Sequence, residues 1–221
     1  MKTNPRDPAK QFRQFLEIEK AFGVSEFPIT VNDGGSKKKL LDDLKKEYQD
    51  CAMCPLSQTR TKLVFGSGSP DAKLMFIGEA PGFDEDQQGE PFVGAAGQLL
   101  TKIIVAMKLR REDVFIANCL KCRPPGNRNP LPSEIVTCNP ILMRQIEIIR
   151  PQVICALGKF AAQTLLGTQE PITRMRGRFF DWHGIKLMPT FHPAYVLRNP
   201  ADKKLVWADV QIIMKEIGIN S

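Results

Sequence analysis

Glu79 follows the short apolar run Lys73-Leu-Met-Phe-Ile77 and lies inside Gly78-Glu-Ala-Pro-Gly82. Two glycines and a proline preset a tight turn that brings backbone N–H groups near a ligand. A carboxylate on that rim can polarise a water or favour a developing positive charge. Taken alone, it is more often a solvated turn carboxylate. Phe92 lies in the Gly/Pro-rich stretch Gly89-Glu-Pro-Phe-Val-Gly94. It is either a plug into the core or a stacking platform for a planar ligand. Asn118 ends the apolar run Asp113-Val-Phe-Ile-Ala-Asn118. Its amide offers a donor and an acceptor together, so it can read a base edge showing the complementary pair. His192, one of 2 histidines, opens His192-Pro-Ala-Tyr195 after a further apolar run. A strand-end histidine is commonly structural. Here its weight comes from sharing one end of the fold with Glu79, Phe92 and Asn118.

The 6 cysteines form a second constellation. Cys51 and Cys54 make one C-x2-C and Cys119 and Cys122 another, with Cys138 further on. In a reducing compartment this pattern reads as metal ligation rather than disulfides. Two quartets compete: 51, 54, 119 and 122, or 51, 54, 122 and 138. Either suits zinc or an iron–sulfur cluster. Cys119 directly follows Asn118, so alternation along a strand points its side chain away from the pocket face. That favours the second quartet. Cys155, in mid-strand, reads as a core thiol.

The elements that must position these residues follow from periodicity. Apolar runs at 73–77, 113–118, 153–157 and 185–189 alternate with helical patterns at 94–108, 133–150, 158–166 and 201–217. Such alternation implies an α/β fold in three layers, α/β/α, around a parallel sheet. Ligands of such sheets bind beyond the carboxyl ends of the strands, where the four residues fall. Residues 178–184 read as a hairpin. Residues 1–36 read as an N-terminal helical extension and linker: Phe12, Phe15, Leu16, Ile18 and Phe22 share a face, and Asn32-Asp-Gly-Gly-Ser36 is turn-rich. The catalytic body is expected over 37–221.

With 221 residues, 43% hydrophobic and 25% charged, the chain is of globular composition, which excludes wholesale disorder. No apolar run is long enough to cross a bilayer and no secretory leader is visible, so a cytoplasmic protein without membrane attachment is expected. The formal charge of +7 mildly favours a polyanionic partner.

In this order, Gly78-Glu-Ala-Pro-Gly82, Gly89-Glu-Pro-Phe-Val-Gly94, Asn118 with Lys121-Cys-Arg-Pro-Pro125, and His192-Pro-Ala-Tyr195 with Leu197-Arg-Asn-Pro200 resemble family 4 uracil-DNA glycosylases. These form the iron–sulfur branch of the uracil-DNA glycosylase superfamily. The resemblance spans roughly residues 50–217. It implies a central four-stranded parallel sheet and a structural [4Fe–4S] cluster on Cys51, Cys54, Cys122 and Cys138, with no catalytic metal. It implies hydrolysis of the N-glycosidic bond of deoxyuridine in single- or double-stranded DNA, by a monomer.

The implied roles follow the motifs. Uracil stacks on Phe92. Asn118 reads its O4 and N3 edge, with the Ala80 N–H assisting, and Glu85 crowds the thymine methyl. Glu79 positions water, and His192 supports the departing anion near O2. Lys121, Arg123, Arg176 and Arg198 are candidates for phosphate contacts. Val196 and Leu197 are candidates for a wedge into the vacated base stack. Three other readings compete: a DNA-binding relative without turnover, a glycosylase of broader deaminated-base range, and a metal-dependent enzyme acting on a small anion.

Overall fold

The computed structural model describes residues 36–219. The helix and linker expected over residues 1–36 lie almost wholly outside the described residues. Helix α1 (Lys37–Tyr48) opens the body, capped by the Ser36 hydroxyl, which accepts from the Lys39 N–H at 3.3 Å. Then come β1 (Ser67–Gly68), β2 (Leu74–Gly78), α2 (Phe83–Gln88), α3 (Ala95–Ala106) and β3 (Phe115–Asn118). They are followed by α4 (Pro132–Ile149), β4 (Val153–Leu157), α5 (Gly158–Leu166) and α6 (Ile172–Met175). The chain closes with β5 (Phe180–Trp182), β6 (Ile185–Thr190), α7 (Pro193–Arg198) and α8 (Lys203–Glu216).

Among the described residues the sheet has six strands in the order β1-β3-β2-β4-β6-β5, rather than the four expected. The strands at 74–78, 115–118, 153–157 and 185–190 are its parallel centre. Two antiparallel edge strands extend it: β1 against β3, and β5 against β6 as the far arm of the expected hairpin. At two and three residues, these edges are too short to leave an alternation signal in the sequence.

Alternation sorts the strands' side chains onto two faces. Met75, Ile77, Ile154, Ala156 and Leu187 bury against α1, α4 and α5. Leu74, Phe76, Val153, Cys155 and Met188 bury against α3, α7 and α8. From β2 the chain crosses to β3 on one side, then returns past β2 to reach β4 on the other. Because parallel crossovers keep one hand, reversing direction sends the connecting helices to opposite faces. The loops leaving β2 and β4 therefore part at the carboxyl edge, and a crevice opens between them.

Candidate active site

At that edge lies a cleft of about 420 Å³, within the size range of small-ligand sites. Its walls include Glu79, Ala80, Glu85, Phe92, Asn118 and His192, the residues expected to meet there, together with Arg198. Gly78 and Asn118 are register partners at the ends of adjacent strands, which explains how Glu79 and Asn118, 39 positions apart, share a site.

Asn118 is 1% exposed, and its Oδ1 is buried with no hydrogen-bond partner. An orphaned buried acceptor costs about 1–3 kcal/mol, so its persistence at a cleft wall points to a ligand donor. The close approach of this oxygen to the end of β2, shared with Phe92, depends on Gly78. A Cβ there would lie 2.4 Å from Asn118 Oδ1 and 2.5 Å from Phe92 Cζ.

Phe92 is buried and has a φ of 52°, strained for an aromatic residue. Its surroundings hold it there. Glu85 Oε1 accepts from the Val93 and Gly94 N–H groups at 2.8 and 2.9 Å, and Oε2 accepts from Gly82 N–H at 3.1 Å. Arg111 donates to the Pro91 carbonyl oxygen. Gly97 lets α3 press against the loop, since a Cβ there would fall 1.9 Å from the Phe92 oxygen. Both Glu85 oxygens are thus engaged by backbone, which makes this carboxylate a fixed part of the wall.

His192 caps the start of α7: its Nδ1 accepts from the Ala194 N–H at 3.1 Å. An accepting Nδ1 leaves the proton of the neutral ring on Nε2. The ring lies 5.6 Å from that of Phe92. Burial, assisted by the positive charge of Arg198 and opposed by Glu85, lowers its pKa to about 4. Burial moves Glu79 the other way, up to about 7, against a smaller lowering by Lys159. The cleft therefore holds an uncharged imidazole and a carboxylate with raised basicity, a pairing typical of sites that do proton or charge chemistry.

Three residues expected on the DNA face lie elsewhere. Lys121 is 0% exposed; its Nζ donates to the Asn118 carbonyl oxygen at 2.9 Å and to Gln145 Oε1 at 2.6 Å. It braces the end of β3 from behind rather than meeting phosphate. Arg176 is folded onto Asp209, with Nε to Oδ2 at 3.0 Å, and donates to the Leu205 oxygen at 2.7 Å. Val196 is 2% exposed and packs into the core, whereas Leu197 beside it is 44% exposed. Arg123 is partly exposed and Arg198 is exposed at the cleft mouth.

The structure adds Lys159, which carries a charge toward Glu79 from the start of α5, and Arg111, which pins the Phe92 loop. Arg111 had a faint signal, as part of a basic run at 108–111. Lys159 had none.

Cys51, Cys54, Cys122 and Cys138 line one small pocket with Arg60, Leu63 and Ile141. Arg60 Nη1 donates to Cys122 Sγ at 3.2 Å and the Lys121 N–H to Cys138 Sγ at 3.3 Å. Donors aimed at sulfur suit thiolate ligands. Among the described residues no three ligand side chains converge closely enough for a single ion. Four cysteine thiols around one pocket, two of them met by N–H donors, are a donor set that fits an iron–sulfur cluster. Cys119 is buried outside that pocket with its thiol pushed up to about 12, chiefly by burial, and Cys155 is buried in β4. The second quartet is the one the fold assembles.

A model of the uracil DNA glycosylase superfamily matches residues 65–211. A type-4 uracil-DNA glycosylase of Thermotoga maritima is 44% identical over 180 residues, covering 80% of this chain and 94% of that protein. One from Archaeoglobus fulgidus is 48% identical over 168 residues, covering 72% and 84%. A type-5 uracil-DNA glycosylase of Pyrobaculum aerophilum is more distant, at 26% over 186 residues.

Proposed function

The chain belongs to the uracil-DNA glycosylase superfamily, on its type-4 branch, and from that premise we propose that it hydrolyses the N-glycosidic bond of deoxyuridine in DNA, the opening step of base excision repair. The observation that carries the reading to this chain's own residues is the orphaned Asn118 Oδ1 at the wall of the cleft, with Phe92 packed beside it against Gly78. Uracil presents an N3–H donor beside an O4 acceptor. The first satisfies Oδ1, and the second accepts from Nδ2. Cytosine presents the reverse pair and leaves both groups mismatched.

A base in a duplex must be extruded before its sugar carbon can be reached, at a cost of a few kcal/mol. Arg198 at the mouth and Arg123 nearby supply phosphate attraction, and exposed Leu197 is the wedge. Phe92 carries the flipped ring, and the Ala80 N–H helps hold it. Glu85, immobilised by its three backbone donors, forms the wall that the thymine methyl meets. Bond breaking leaves positive charge on the sugar and negative charge on uracil. The ionised Glu79 faces the sugar and orients water toward C1′. The Nε2–H of neutral His192 bonds O2 as charge builds there. Cys51, Cys54, Cys122 and Cys138 would hold a [4Fe–4S] cluster, which when bound would supply a structural cross-link between the segment at 51–54, the loop after β3 and α4. No step above passes through it.

The test is incubation of the purified protein with oligonucleotides carrying U, T, C, hypoxanthine or xanthine, followed by alkaline strand cleavage. Cleavage at U and not at T or C is expected; an intact U strand overturns the proposal. Run in parallel, Asn118→Asp loses the donor to O4, and its preference for U over C drops by roughly 5- to 150-fold, the worth of one two-point base contact.

A second expectation concerns Gly78. A methyl at residue 78 must displace both Phe92 and Asn118. Overpacking of this kind costs about 1–3 kcal/mol. Gly78→Ala is therefore expected to weaken binding of free uracil by roughly 5- to 150-fold, measured by product inhibition. Unchanged inhibition would mean that the ring is not held by these two side chains.

A further inference from the structure

Phe83 is 56% exposed although it begins α2 and directly follows Gly82, a residue of the cleft wall. An exposed phenylalanine at the mouth of a polar site lacks the burial that usually accounts for one. Its ring is not loose. The Arg123 guanidinium lies over it, 5.1 Å from the centroid, and Arg123 Nε donates to Asn127 Oδ1 at 2.7 Å. Asn127, this arginine's anchor, and Pro124, the residue after it, also line the cleft. One face of the ring is thus clamped by a cation while the rest stays open to solvent at the rim.

We propose that Phe83, held by Arg123, is a stacking subsite for an unpaired nucleobase next to the flipped uridine. The exposed ring accepts any base face, and the Arg123 guanidinium on its other side stays available to the phosphate beside that base. Stacking on an aromatic ring is sequence-tolerant and worth about 1–3 kcal/mol per base. A base still paired in a duplex is not free to turn onto the ring, so the subsite serves single-stranded or locally opened DNA. The inference rests on the uracil-excision reading and names a second nucleotide contact within it.

The experiment is a cycle between residue 83 and the neighbouring base. Wild type and Phe83→Leu are each titrated with single-stranded uracil oligonucleotides. These carry either a normal base or an abasic spacer on the 5′ flank, and then on the 3′ flank. Expected is a 5- to 150-fold weaker Kd for Phe83→Leu with the normal base, and no further loss once the spacer replaces that base on one flank. A 2-aminopurine placed on the same flank should be quenched on binding wild type and stay bright with Phe83→Leu. An equal loss with base and spacer on both flanks overturns the proposal, as does quenching that survives the substitution. Wild-type cleavage of the same oligonucleotides is scored alongside: its absence would sink the excision reading itself, whereas its presence with a flat cycle sinks only the subsite.

Discussion

Replacing Glu79 by Gln is expected to slow single-turnover uracil release by about 10²- to 10⁴-fold, the range for a lost general base, while binding of uracil-containing DNA changes little. Glutamine keeps the shape and one acceptor but cannot carry the charge that faces the sugar or take a proton from water. The pH profile gives a sharper test. Burial raises the Glu79 carboxyl to about 7, with Lys159 only partly offsetting it. Only the ionised form works, so the wild-type rate should fall tenfold per unit as pH drops below about 7. The Gln variant should show no such limb. Stability moves in the opposite sense. A carboxyl raised on folding contributes stability below its unfolded value near 4.5 and loses it as pH rises through about 7. The cleft is open to water, which screens the effect, so Glu79→Gln should gain on the order of 1–2 kcal/mol above pH 7 and little at pH 4. A wild-type rate in the variant, or an acid limb that survives it, would remove Glu79 from the chemistry.

The carboxyl-edge residues were legible because the physics that places them is local. Glu79, Asn118 and His192 each end or follow a run of apolar residues that reads as a buried strand, and parallel strands end on the same side. Glu79 and Asn118 then needed no long-range information beyond the pairing of β2 with β3. The cysteine quartet was legible for a similar reason: strand alternation turns Cys119 away from the face that Asn118 presents, and in the structure Cys119 lies outside the separate pocket that the other four line. The charged residues were less so. A lysine in Lys121-Cys-Arg-Pro-Pro125 reads as surface, and only Gln145 and the Asn118 carbonyl oxygen, brought together by α4 and β3, explain its burial. Arg176 likewise depends on Asp209, 33 residues on. Val196 and Leu197 show the limit most simply. Successive helical residues point about 100° apart, so one of the pair must turn inward, and only packing against α3 and α8 decides which.

Removing the His192 imidazole, as in His192→Ala, is expected to lower kcat by about 10²- to 10³-fold, the cost of one donor aimed at a developing anion. The Ala194 N–H can only donate, so Nδ1 must be its acceptor and Nε2 must carry the proton. With its pKa lowered to about 4, the ring stays neutral throughout the range in which Glu79 titrates. It therefore hydrogen-bonds the departing base without protonating it, and uracil leaves as an anion, aided by the field of Arg198. Two consequences separate this role from a structural one. The acid limb near pH 7 should persist in His192→Ala, because it belongs to Glu79. The loss should also shrink when the leaving group needs less help. 5-Fluorouracil, a more acidic base with a substituent far smaller than methyl, should be released with a smaller penalty than uracil in single-turnover assays. Equal penalties for the two bases would place His192 outside leaving-group stabilisation and return it to its other visible task, capping α7.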